Sequence, residues 1–172
     1  MKSEVTGFEK YCPYRYARCR QSTVGVLLAK SMLMNFCDTD LLIQGSTGES
    51  LCDTIKKRGI ESFIKLEENV IFKSDFKNSV IATGGSAVYG ERAMKKLKET
   101  AKVVYLKVTP DELNRRVNNI HTRGIAMKDG MTLDELYKER APLYEKNADI
   151  TVECDGITPE ECVDLIIKNS LL

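Results

Sequence analysis

Two carboxylates, Asp38 and Asp40, stand one residue apart in "NFCDTD". At the end of a strand such a pair can divide labour. One holds Mg²⁺ directly or through water, while the other accepts a proton from a substrate hydroxyl. An Asp-Thr-Asp turn that caps a helix accounts for the pair equally well. In "IATGGSAV", Gly84 and Gly85 lack a Cβ and permit positive φ, so a ligand can approach the backbone closely; many ordinary tight turns also carry two glycines. Arg123 lies in the polar, glycine-containing stretch 118–131, which has the composition of a lid. From there it could reach a transferring phosphoryl group, or decorate a surface loop. Arg140, in "YKERAPLYEKNAD", shares a helix with an apolar face of Leu136, Leu143 and Tyr144. A guanidinium there suits bidentate recognition of a carboxylate, or a structural ion pair. The second half of "RYARCRQSTVGVLLAK" has the pattern of a helix that follows a phosphate-binding loop.

These residues need elements to carry them. "SVIAT" (79–83), "KVVYLKV" (102–108) and "DITVEC" (149–154) have the length and near-continuous hydrophobicity of strands buried on both faces. The shorter "NFCDTD" (35–40) runs into a polar turn. Amphipathic segments predict helices over 22–34, 51–72, 91–100, 111–117, 133–147 and 160–169. "TPDE", "TLDE" and "TPEE" each set a threonine cap three residues before a glutamate. Strand–helix alternation of this kind implies a parallel sheet covered by helices, with ligands at the carboxyl ends of the strands.

A length of 172 residues fits one domain. A net charge of +1 gives no electrostatic reason to expect nucleic acid or an acidic membrane as partner. No apolar run approaches a membrane span and no signal-peptide pattern stands at the N-terminus, so a cytoplasmic protein is expected; a monomer acting on small molecules is the expected partner state. The spacings of the six cysteines match no zinc or redox motif, which predicts reduced, mostly buried thiols. His121, in a polar stretch, reads as a solvated surface residue.

Together, "STVGVLLAK", "DTDLLI", "VIATGGSAV", "VVYLKV", "TRG" and "ERAPLYEKNAD" resemble the shikimate kinase family, in its order and spacing from about residue 22 to 167. The resemblance implies an α/β fold of three layers, α/β/α, with a five-stranded parallel sheet of the P-loop kinase type. It implies transfer of the ATP γ-phosphoryl to a hydroxyl of a small carboxylated substrate. Ser22 and Asp38 would serve Mg²⁺; Gln21, Ser22, Thr23 and Arg123 would meet the nucleotide. Asp40, Gly84, Gly85 and Arg140 would hold the acceptor, with Asp40 and Arg123 catalytic. The chain also departs from the family. Where the family has "F-R-x-x-E" this chain reads "FIKLE", so Ile64 replaces an acceptor-binding arginine, and Ile60 replaces a glutamate one turn earlier. Losing one charge-assisted pair to a carboxylate forfeits roughly 1.5–3 kcal/mol. The alternatives are therefore a kinase for another alcohol, or an inactive small-molecule-binding or regulatory module.

A Walker A loop needs G-x-x-x-x-G-K-[ST]. Aligned on Ser22, the chain offers Arg15 and Arg20 for the glycines and Gln21 for the lysine. The strand before it contains Pro13 and Arg15, both poorly suited to a central position. Read one base later, the codons for Glu9 to Gln21 can spell K-N-I-V-L-I-G-M-R-G-A-G-K, a buried strand and an intact loop. A local frame shift over residues 9–21 is the reading that reconciles this stretch with the rest, and the wobble bases of the coding DNA test it.

Overall fold

A computed structural model describes the backbone of residues 10–14 and residues 21–116 and 124–171. Arg123, His121 and the loop positions 15–20 lie outside the described residues, as do the side chains of Cys12 and Cys19. Among the described residues five strands form one parallel sheet in the order β2-β3-β1-β4-β5: β1 Lys10–Tyr14, β2 Asn35–Asp38, β3 Ser79–Ala82, β4 Lys102–Lys107 and β5 Ile150–Glu153. Burial follows position in the sheet. All of β3 and the middle of β4 are buried, whereas the edge strand β5 alternates between buried and exposed residues. A central parallel strand is covered on both faces, and an edge strand need not be.

Among the described residues eight α-helices accompany the strands: α1 Gln21–Met32, α2 Thr39–Thr47, α3 Leu51–Arg58, α4 Ile60–Lys73, α5 Glu91–Thr100, α6 Pro110–Arg116, α7 Leu133–Asn147 and α8 Pro159–Ser170. Thr132 and Thr158 build complete capping boxes with Glu135 and Glu161 at the starts of α7 and α8. The third threonine departs from that pattern. Thr109 accepts from the Glu112 N–H, but its own N–H donates to the Asp155 carboxylate, and Glu112 pairs with Arg115.

Two further differences from the sequence reading have physical causes. The polar stretch after β2 is helix α2, capped by Asp38, rather than a turn. The amphipathic run 51–72 is two helices, because Gly59 takes φ +76 between α3 and α4. The main core lies where Val24, Leu28, Ile81, Val104, Leu106 and Ile166 meet around the sheet, and a second cluster forms from Ile43, Phe63 and Ala126.

Candidate active site

The carboxyl end of β2 delivers Asp38, and the first turn of α1 delivers Ser22. Their side chains meet: Ser22 Oγ donates to Asp38 Oδ2 at 3.1 Å. The other carboxylate oxygen of Asp38 accepts from the Asp40 N–H at 3.0 Å. The helix cap and the contact with Ser22 thus use different oxygens of one carboxylate. A hydroxyl beside a carboxylate is a set of hard oxygen donors that fits Mg²⁺, which usually takes few protein ligands and completes its shell with water and phosphate. No cluster of three or more metal-ligating side chains occurs among the described residues.

The position that should hold the phosphate-bridging cation is different. Gln21 is buried, and its Nε2 donates to the Thr83 carbonyl at 3.3 Å. It is neutral and ties the start of α1 to the end of β3. The residues present fit the metal and do not supply the cation. Thr23 is exposed in the first turn of α1.

The acceptor side gathers around the turn after β3. Neither Gly84 nor Gly85 has positive φ. What Gly84 provides is space: a Cβ there would stand 3.0 Å from Asp40 Oδ1 and inside the contact distance of Glu67 Oε1. Two carboxylates therefore converge over this Cα. Glu67 is fully buried and accepts from Ser86 Oγ at 2.5 Å. Beyond it, the Tyr144 hydroxyl donates to the Gly85 carbonyl at 2.5 Å. Burial pushes the Tyr144 phenol well above its usual range, although the neighbouring Arg140 charge opposes this, so it remains a donor at neutral pH.

Arg140 is only 3% exposed. Its Nε donates to the Tyr89 hydroxyl at 3.2 Å and its Nη2 to the Ala126 carbonyl at 2.5 Å, with Tyr89's ring centroid 5.2 Å from the guanidinium carbon. Tyr89 in turn donates to Glu139. The described hydrogen bonds of Arg140 go to a tyrosine hydroxyl and a backbone carbonyl rather than to a carboxylate. Burial works against its charge, but Tyr144, Tyr89 and Glu67 outweigh that and hold its pKa up. The result is a buried cation with neutral hydrogen-bond partners.

Ala126 lies in the described part of the stretch 118–131, whose composition suggests a lid. Gly124, at φ +63, lies so close to α3 that a Cβ would come 2.7 Å from the Cys52 nitrogen. Sequence reasoning named Asp38, Asp40, Gly84, Gly85 and Arg140, and the structure brings them to one end of the sheet. It missed Glu67, Tyr89 and Ser86. A signal for Glu67 existed: Phe63, Glu67 and Ile71 recur every four residues, placing a carboxylate on the buried stripe of α4.

A family model described as shikimate kinase matches residues 19–170. A curated shikimate kinase of Thermodesulfovibrio yellowstonii is 33% identical over 151 residues, covering 86% of this chain and 87% of that one. One from Caldanaerobacter subterraneus is 34% identical over the same length, 86% of this chain and 88% of the other. Among solved structures, shikimate kinase from Acinetobacter baumannii in complex with shikimate superposes with a TM-score of 0.84 at 28% identity, over 95% of this chain and 93% of that one. The Aquifex aeolicus shikimate kinase gives 0.78 at 29% identity, over 94% and 96%.

Proposed function

The chain belongs to the shikimate kinase family, and on that premise we propose that it transfers a phosphoryl group from ATP to a hydroxyl of a small carboxylated metabolite. Shikimate, which the Acinetobacter neighbour holds, is the first acceptor to test. ATP with Mg²⁺ supplies the electrophilic γ-phosphoryl group. Ser22 and Asp38 would hold the metal, and Asp40 would take the proton from the acceptor hydroxyl as it attacks. Gly84 makes room for the Asp40 and Glu67 carboxylates beside the acceptor, Gly85 lets the acceptor lie against the backbone, and Arg140 fixes its carboxylate. Glu67 and Tyr144 keep the glycine turn in place through Ser86 and the Gly85 carbonyl. Arg123 would close over the phosphates. We take the protein to act as a cytoplasmic monomer on small molecules; among the described residues no helix is long and apolar enough to cross a membrane.

The observation that carries this reading is Arg140, a buried guanidinium whose described partners are all neutral. Such a charge is costly to bury without an opposite one; the Glu67 carboxylate supplies part of it through space, and an acceptor carboxylate in direct contact would complete it. Calorimetric titration with shikimate tests it. Arg140→Gln is expected to weaken binding by about 1.5–3 kcal/mol; undiminished affinity in that variant would remove the anchor from the proposal.

A second reading rests on Gln21, neutral and turned to Thr83, and on the absence of glycine from 15–20. It holds that this chain binds the acceptor but handles ATP poorly. Acceptor titration does not separate the two readings; ATP titration does.

A further inference from the structure

A cavity of about 230 Å³ lies between α4, the lid arm and α7, lined by Ile60, Ile64, Tyr89, Ala126, Met131 and Leu136 among others. Two of these residues are the groups to which Arg140 donates: the Tyr89 hydroxyl and the Ala126 carbonyl. An acid whose carboxylate engages Arg140 must share or displace those bonds, which sets part of its body beside this cavity. The walls are largely hydrocarbon. The charged groups at it, Lys128 and Glu139, are both exposed, and Glu139 is already bonded by Tyr89.

We infer that this cavity is an acceptor subsite that takes an apolar flank, so the preferred acceptor is a hydroxylated monocarboxylate bearing a hydrocarbon substituent. The inference rests on Arg140 as the anchor of the acceptor's carboxylate. A hydroxyl pressed against Ile60 and Ile64 would leave water without a partner, whereas methylene groups there gain from the transfer. Ile64 is the discriminating residue, because it faces the cavity from the middle of α4.

The test uses acceptor binding on the chain as it stands, so it does not depend on the nucleotide loop. Calorimetry would compare 3-hydroxycyclohexanecarboxylate with its 5-propyl derivative. The propyl acid is expected to bind about tenfold more tightly, and I64N to reduce that ratio to less than about twofold. Because the ratio is internal to each variant, a modest loss of stability does not obscure it. If I64N does not fold, the pair measured on the native chain decides alone. Equal affinities in the native chain, or a ratio that survives in I64N, would overturn the subsite. If the parent acid binds and loses affinity in R140Q while propyl gains nothing, the subsite falls and the anchor stands. If neither acid binds the native chain, both fall.

Discussion

Gly84 shows how much one hydrogen atom can decide. Asp40 and Glu67 reach the same Cα from α2 and α4, and the space a methyl group would take is filled by their oxygens. Gly84→Ala must push back the Glu67 carboxylate, which is held by Ser86 and has no solvent to move into. Overpacking of this kind costs about 1–3 kcal/mol. The expected result is a melting temperature lower by roughly 2–12 °C together with weaker acceptor binding, measured by thermal melts and calorimetry. A variant that melts and binds like the native chain would mean that the two carboxylates do not jointly define the site. At this scale the sequence was informative about residue type and less so about reason. The glycine pair was legible as a close approach, but positive φ is not involved, and the carboxylate that needs the space sits 17 residues away on another helix.

Helices announce themselves through their ends more clearly than through their middles. The capping boxes at Thr132 and Thr158 were legible, and both formed. Thr158→Ala should cost about 1 kcal/mol, seen as a melting temperature lower by roughly 2–4 °C. The same motif gives a pH dependence of known sign. The backbone N–H groups of Thr132 and Thr158, and then their hydroxyls, hold the Glu135 and Glu161 carboxyls below their ordinary value. A group depressed in the folded state stabilises above its unfolded pKa, near 4.3, and that contribution is lost as pH falls through the lower folded value. Glu161→Gln should therefore melt below the native chain at pH 7 and converge with it towards pH 3; a constant gap across that range would refute the assignment. What the sequence hid were elements without a regular apolar stripe. In α2 only Ile43 among the three consecutive apolar residues is buried, while Leu41 is 65% exposed, so no 3.6-residue pattern marks the helix. The break at Gly59 was masked differently, by an apolar stripe that continues from α3 into α4.

The sheet as a whole is unevenly joined, and the weak seam lies next to the site. β1 is central, yet among the described residues it pairs with β3 at Lys10 and Tyr11 alone, whereas its pairing with β4 runs over four residues from Tyr11 to Tyr14. The β2–β3 and β4–β5 ladders also run over four. The short ladder stops two residues before Pro13, which has no N–H to donate and is a poor central-strand residue. Downstream, residues 15–20 offer no glycine to wrap phosphates, and Gln21 offers no charge. On the frame-shift reading of residues 9–21, one cause predicts two separate deficits, in stability and in nucleotide binding. Replacing that run by K-N-I-V-L-I-G-M-R-G-A-G-K should extend the ladder towards Ile81 and Ala82. Two restored hydrogen bonds with the burial of apolar side chains are worth about 2–3 kcal/mol, or roughly 4–12 °C in melting temperature. It should also bring ATP–Mg²⁺ affinity from barely measurable to micromolar or better, with phosphoryl transfer to the acceptor appearing only then. Tight ATP binding by the unaltered chain would show that the loop positions serve the nucleotide as they are. A replaced chain that is more stable but still ignores ATP would instead favour the binding-module reading, because the sheet would then have been repaired without restoring the chemistry.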